Sequence, residues 1–334
     1  MEMGRRLRNG ASLALVLALS ACGGGDSGGP PPSSGPAPTP TPSPSPSPTP
    51  TPSPTPSPTY TPFANLTGDR SLAVGCTAYV GRPPLGVPGV EGFASFGNNG
   101  LITFTQATES YRVFTPNNVS SVFGPSALQT QTDPNVIRYT KPSPRTPGAT
   151  ENFFIATPVV GGQGFVYTRG AFINIEGDET TGTQARTQAF CVTGVPTINT
   201  DLPPGPTVTF TGFEVRGTVF DARNGTLRIG TINGTEAALV VDLTTGNANF
   251  SFAVDTSFGG TPTRIGTYQG SGGLNEATSG LAGNFDTGGG LGSIDGGFFG
   301  PQGSEFAYVF NYRLDQNFDG ANELFFVGTV AGRR

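Results

Sequence analysis

Between residues 207 and 330 apolar and polar positions alternate over short stretches. Val208 and Phe210 fall on one face, as do Leu239, Val241 and Leu243, and again Phe250, Phe252 and Val254. Phe306, Tyr308, Phe310 and Tyr312 share a face, while Leu324 and Phe326 oppose Phe325 and Val327. A period of two with one apolar face is the signature of a half-buried antiparallel strand. Asn224-Gly225 and Thr245-Gly246-Asn247 supply the positive-φ positions that tight hairpins need. The strands recur at roughly ten-residue intervals, enough for about eight, and an up-and-down sheet of that number closes into a barrel without edges. No amphipathic helical stretch exceeds two turns. The outward positions are too polar for a transmembrane barrel, which presents an apolar band between aromatic girdles.

Residues 63–204 alternate less regularly. Pro142-Ser143-Pro144-Arg145-Thr146-Pro147 and Gly161-Gly162-Gln163-Gly164 interrupt them, which predicts short strands joined by exposed loops. Those loops are the expected binding elements. Residues 22–62 cannot fold: after a Gly-rich start, Pro alternates with Thr or Ser as far as Pro62, and 16 of the 32 prolines lie in residues 1–62. Without apolar side chains nothing offsets the entropy of ordering. A polyproline II path of roughly 3.1 Å per residue makes this a semi-rigid tether reaching on the order of 100 Å.

Ahead of the tether, Arg5, Arg6 and Arg8 precede a short apolar run, Ala11 to Ser20, and then Leu19-Ser20-Ala21-Cys22. The run is too short for a membrane span and suits a secretory leader, residues 1–21. The tetrapeptide resembles a bacterial lipobox, which implies cleavage before Cys22 and acylation of its thiol, an anchor in the lipid bilayer. Gly23 then implies outer-membrane delivery; the other reading is an ordinary leader followed by an unmodified cysteine. Cys76 and Cys191 remain, an even pair in an exported chain. They are expected either to form a disulfide or to stay as two buried thiols.

Composition narrows the chemistry. The chain has no His and no Trp, and its 2 Met, Met1 and Met3, lie in the leader. Every imidazole mechanism and every His-ligated metal or haem site is excluded. The single lysine, Lys141, has no Gly-rich phosphate loop before it. A net charge of −5 argues against a nucleic-acid partner. All 25 Phe lie after residue 62, so the apolar payload belongs entirely to the folded part.

Gly280-Leu281-Ala282-Gly283-Asn284-Phe285, followed by Gly297-Phe298-Phe299-Gly300-Pro301-Gln302-Gly303-Ser304-Glu305, resembles the barrel signature of the transferrin-binding protein B family of Gram-negative surface lipoproteins. Phe299, Gly300, Pro301 and Glu305 carry the match, Gly303 stands where the family has Ala, and Phe306-Ala307 where it often has Gly-Gly. Gly194-Val195-Pro196-Thr197 resembles the entry to that barrel, and Phe123-Gly124-Pro125 lies in a region similar to the family's handle. The resemblance implies an all-β chain with a smaller, irregular, handle-like β domain at residues 63–204 and an eight-stranded antiparallel barrel at residues 205–334. It also implies a single lobe, on the cell surface or alternatively the periplasmic face of the outer membrane. Its expected function is non-enzymatic binding of a solute or protein ligand, in iron or nutrient acquisition, with an outer-membrane transporter and lipoprotein-export machinery as partners. A structural or adhesive envelope lipoprotein without a solute ligand is the alternative. No cofactor is expected.

Three further groups carry possible chemistry. Asp315, Asn317 and Asp319, with Gly320, match the first half of a Ca²⁺-binding loop, but the twelfth position is Phe326 rather than Glu. A hairpin between the last two strands explains the same residues without metal. Gly288 to Asp295 reads as a glycine-rich loop, and Glu176, Asp178 and Glu179 as a solvated turn rather than an acid/base pair. Tyr111, Tyr139, Tyr167, Tyr268, Tyr308 and Tyr312 are candidate iron or haem ligands, partner contacts, or core residues with their hydroxyls at the surface.

Overall fold

The computed structural model describes residues 58–81, 87–88, 90–176, 186–275, 277–286, 289–315 and 323–334. The leader, Cys22, most of the tether, Asp178, Glu179, Asn317 and Asp319 lie outside the described residues. Among those described, every regular segment is a strand or a single 3₁₀ turn. Two sheets belong to one compact unit.

The first sheet uses β1 (Arg70–Gly81), β2 (Val90–Thr105), β3 (Ser110–Phe114), β4 (Ser120–Phe123), β5 (Val136–Pro142), β6 (Thr150–Ala156), β9 (Thr168–Glu176) and β10 (Arg186–Gly194). Between β6 and β9, the two-residue strands β7 (Val159–Val160) and β8 (Gln163–Gly164) form a separate small hairpin. The order is β4-β3-β2-β1-β10-β9-β6-β5, antiparallel throughout. This half is more regular than its Gly and Pro interruptions suggest, because those residues sit in the connections or, as Pro142 and Gly164 do, at a strand end. Pro144 and Pro147, for instance, lie between β5 and β6, where no ladder donor is needed.

The sheet curls until its outer strands nearly meet. Tyr139 of β5 lies 6.5 Å from Phe123 of β4, ring centre to ring centre. The buried carboxylate of Glu151 pairs with Lys141 at 3.3 Å and Arg145 at 2.7 Å, and accepts a hydrogen bond from Ser121 of β4. A charge taken out of water is tolerated only when partnered this fully. Inside the curl, Cys76 and Cys191 face each other across the central β1–β10 pair, with Cα atoms 4.1 Å apart, and are joined by a disulfide.

The second sheet comprises β11 (Thr207–Phe210), β12 (Gly212–Asp221), β13 (Arg228–Gly234), β14 (Ala237–Asp242), β15 (Asn247–Phe258), β16 (Thr261–Asn275), β17 (Gly280–Phe285), β18 (Leu291–Phe299), β19 (Glu305–Leu314) and β20 (Leu324–Arg333). Ten segments form eight staves. β11 with β12, and β13 with β14, keep one continuous register from Thr207↔Asp242 through Val215↔Gly234 to Asp221↔Arg228, so each pair is one interrupted strand. Every later stave pairs with its neighbour in sequence, and β20 returns to β12. The expected eight-stranded up-and-down barrel is therefore present.

Its closing seam depends on glycine. Gly217 and Gly328 are direct partners, and a Cβ on Gly328 would come within 2.0 Å of the Arg216 carbonyl oxygen. The Phe310 ring covers the space left empty. At the expected turns, Gly225 and Gly246 hold φ of 77° and 73°.

The aromatic face read from the sequence points inward. Phe306, Tyr308, Phe310, Tyr312, Leu324 and Phe326 join Phe250, Phe252 and Phe285 in the barrel core. Tyr308 is fully enclosed and its hydroxyl has no hydrogen-bond partner. The centre is thus filled by side chains and is not a ligand chamber. Less expected is the opposite face: Ala307, Val309 and Ala331 pack with Val192 and Phe96, and Phe325 and Val327 with Tyr79 and Phe220. β19 and β20 are buried on both faces because the first sheet covers the barrel there.

The disulfide closes a loop of 115 residues, for which chain entropy gives at most about 5 kcal/mol. Replacing both cysteines by Ala is expected to cost about 2–5 kcal/mol in urea unfolding; an unchanged midpoint contradicts this role.

Candidate functional site

The motif residues Phe299, Gly300, Pro301 and Glu305 do not line a ligand pocket. They form the joint between the two sheets. Phe299 ends β18, and Gly300 follows at φ 71°, where a Cβ would strike the Tyr167 ring at 2.3 Å. Pro301 opens a 3₁₀ turn, so the ladder stops as the missing Pro donor requires. Gly303, the departure from the family's Ala, sits at φ 55°.

Glu305 then starts β19 with its carboxylate turned across the joint. It accepts hydrogen bonds from the backbone amides of three consecutive residues that lead into β9 of the first sheet: Val166, Tyr167 at 2.9 Å and Thr168 at 2.8 Å. The connection between sheets pairs with the same turn, through Thr197 N–H to the Phe298 carbonyl at 2.9 Å and Gly300 N–H to Val195 at 2.9 Å. Arg169 lies beside it, buried, with its guanidinium 4.7 Å from the Phe63 ring centre and donating to the Phe165 and Thr168 carbonyls.

A second carboxylate at the joint is placed less comfortably. Asp295 of β18 is 3% exposed and presses against β1 and β2 of the first sheet, where a Cβ on Gly75 would lie 3.0 Å from its Oδ1. It accepts from the Phe96 amide. Burial pushes its carboxyl up to about 7, against the hydrogen bonds from Phe96 and Ser95 that pull it down. Asp295 is therefore a strand residue and not part of the glycine-rich loop expected from the sequence, because β18 begins at Leu291.

Among the other candidates, Glu176 is buried and paired with Arg186 at 2.7 Å, so it belongs to the β9–β10 ladder and not to a solvated turn. Asp315 follows the end of β19, while Asn317 and Asp319 are outside the described residues. No group of three or more carboxylates or thiols is placed for a metal among the described residues. Tyr111 and Tyr139 lie in the first core, and Tyr268, Tyr308 and Tyr312 in the barrel core. Burial pushes Tyr139 and Tyr268 up to about 12 and Tyr308 higher still. That disfavours the phenolate a ferric ligand requires.

The open site lies where the two curved surfaces diverge. A cleft of about 570 Å³ runs between the outer face of β5, β6, β9 and β10 and the barrel's β12, β13 and β20. Its first wall is a cross-strand row: Arg138↔Phe154, Phe154↔Phe172 and Phe172↔Phe190 are direct partners. The three rings are half-buried, with centres 5.8 and 5.1 Å apart, and the Arg138 guanidinium lies 5.2 Å from the Phe154 ring centre. The next row, Ala156, Gly170 and Val192, is small and gives the cleft depth; a Cβ on Gly170 would meet nothing within 4 Å. Arg216, Thr231 and Thr329 line the barrel side. The β7–β8 hairpin is fixed to the barrel beside the cleft by Glu214, which accepts from the Val159 amide at 3.1 Å, and by Arg333, which donates to the Val160 carbonyl at 2.8 Å. Sheet faces, rather than the loops expected from the sequence, therefore form this site. Its signal was present: each of β6, β9 and β10 carries a Phe on the face opposite its core.

No family model matches the chain, and no curated protein matches it. Its fold is similar to solved structures of transferrin-binding protein B. A double mutant and a single mutant from Haemophilus parasuis align at TM-scores of 0.42 and 0.41 and 10% and 11% identity, covering 78% of this chain and 44% and 45% of theirs. The isotype 1 protein from serogroup B Neisseria meningitidis aligns at 0.40 and 12%, covering 78% and 43%. This chain thus spans less than half the length of those proteins.

Two outcomes follow from the joint. Glu305→Ala strands three amides and is expected to cost about 3 kcal/mol or more in urea unfolding, with faster proteolysis between residues 195 and 206; wild-type behaviour in both contradicts the latch. Asp295 binds its proton more tightly folded than unfolded, so its contribution to stability is largest below its ordinary value near 3.8 and is lost as pH rises to about 7. Relative to Asp295→Asn, the wild type is expected to lose up to about 1.4 kcal/mol per pH unit across that window. Parallel stability profiles for the two proteins contradict it.

Proposed function

We propose that the chain is a lipid-anchored binding protein of the outer-membrane surface, which captures a solute or protein ligand without converting it. The observation that carries this reading is the cleft, whose half-buried Phe154, Phe172 and Phe190 present an apolar wall that the fold itself leaves uncovered. Concave, largely apolar sites of this size with a few polar groups are the usual form of a ligand site. The sequence, which holds no His, supplies no familiar acid/base or nucleophile set to turn a bound molecule over. In this reading residues 1–21 are the leader, acylated Cys22 is the anchor, and the Pro-rich run to residue 62 holds the folded part clear of the lipid. The motif resemblance supports a setting in iron or nutrient acquisition, with delivery to an outer-membrane transporter.

Cys22→Ala is expected to abolish palmitate incorporation and release the protein from the membrane fraction. Protease added to intact cells is expected to remove the folded part; full protection removes the surface assignment. Native mass spectrometry of the chain purified from its producing membranes is expected to show a bound species that Gly170→Trp loses, since a Cβ at this lining position meets nothing within 4 Å and the ring beyond it would occupy the cleft. No bound species, or the same species on the variant, overturns binding at the cleft.

A further inference from the structure

We infer that the cleft takes a small organic anion, a flat apolar body of two or three fused rings that lies on the phenylalanine row and places its carboxylate at Arg138. The inference rests on the cleft being the binding site, and it adds the class of ligand. Two observations carry it.

The first is shape. Phe154, Phe172 and Phe190 form a continuous apolar row, the first two rings 31° apart and the third turned 58° from the second, while Ala156 and Gly170 beside it leave depth rather than bulk. A planar ring system lies along the Phe154–Phe172 part of this row with little loss of conformational freedom, and offset ring contacts add to the apolar gain.

The second is charge. Both carboxylates of the cleft are engaged: Asp133 accepts from the Asn135 amide at 2.9 Å, and Glu214 pairs with Arg216 at 3.4 Å besides holding Val159. Arg138 is exposed, rests on the Phe154 ring, and has no carboxylate partner among the described residues. Its planar fork is suited to two parallel hydrogen bonds with a ligand carboxylate, at the end of the row beside a ring system that lies against Phe172 and the open edge of Phe154.

The test uses the full chain and two probes of one shape, 2-naphthoate and the neutral 2-naphthylmethanol, titrated by isothermal calorimetry, with thermal unfolding of each variant as the folding control. Naphthoate is expected to bind at least tenfold more tightly than the alcohol. Arg138→Gln is expected to lower naphthoate's affinity at least tenfold more than the alcohol's, so that the preference disappears, and Gly170→Trp to remove both. Equal affinity for the two probes, an intact preference in Arg138→Gln, or no binding of either probe overturns the anion assignment and leaves the native-ligand test of the cleft standing. Undiminished probe binding by a folded Gly170→Trp overturns the cleft as the site, and with it both readings.

Discussion

The carboxylate of Glu305 holds the architecture in its observed arrangement. Each sheet can satisfy its own ladder, but the segment from Val166 to Thr168 turns three consecutive amides towards the joint. Glu305, projecting from the first position of β19, takes all three at once. Charge-assisted hydrogen bonds in a water-poor site are stronger than neutral ones, and a single anion meeting several backbone donors fixes position as well as energy. Gly300, Pro301 and the segment from Val195 to Thr197 are the geometry that brings this carboxylate into place. A conspicuous sequence motif thus serves assembly.

Around that latch, apolar burial supplies the larger share of the joint. Because β19 and β20 are covered on both faces, their sequence departs from simple alternation: Phe325-Phe326-Val327 and Ala307-Tyr308-Val309 are continuous apolar runs. Small residues, Ala307 and Ala331, occur where the first sheet approaches, and large aromatics point to the barrel centre. Asp295 is the exception, a carboxylate facing the same joint without a cation, and it makes the contact between sheets dependent on protonation.

The barrel was largely legible in the sequence because its signals are local. Period-two alternation and the turn glycines Gly225 and Gly246 suffice to set eight staves, and the interruptions between β11 and β12 and between β13 and β14 change none of the registers. What escaped was whatever depends on a partner distant in sequence. The second buried face of β19 and β20 could not be assigned without knowing what covers it. Asp295 resembled a loop residue because the glycines before it mask the start of a strand. The phenylalanine row is the clearest case: its members come from three strands and meet only through the register of β6, β9 and β10. Phe153-Phe154 and the Phe172 position carried the hint, an aromatic on a face where a half-buried strand ordinarily shows polar residues.

Thr168 belongs to both parts of this structure. Its amide is held by Glu305 in the joint, while the residue lines the cleft. A molecule that packs against this residue also immobilises the segment on which the latch closes. Occupancy and joint rigidity then share one free energy, and linkage makes the coupling reciprocal: whatever tightens the joint raises affinity, and whatever loosens it favours release. An acceptor that pulled the two sheets apart would empty the cleft without touching its contents.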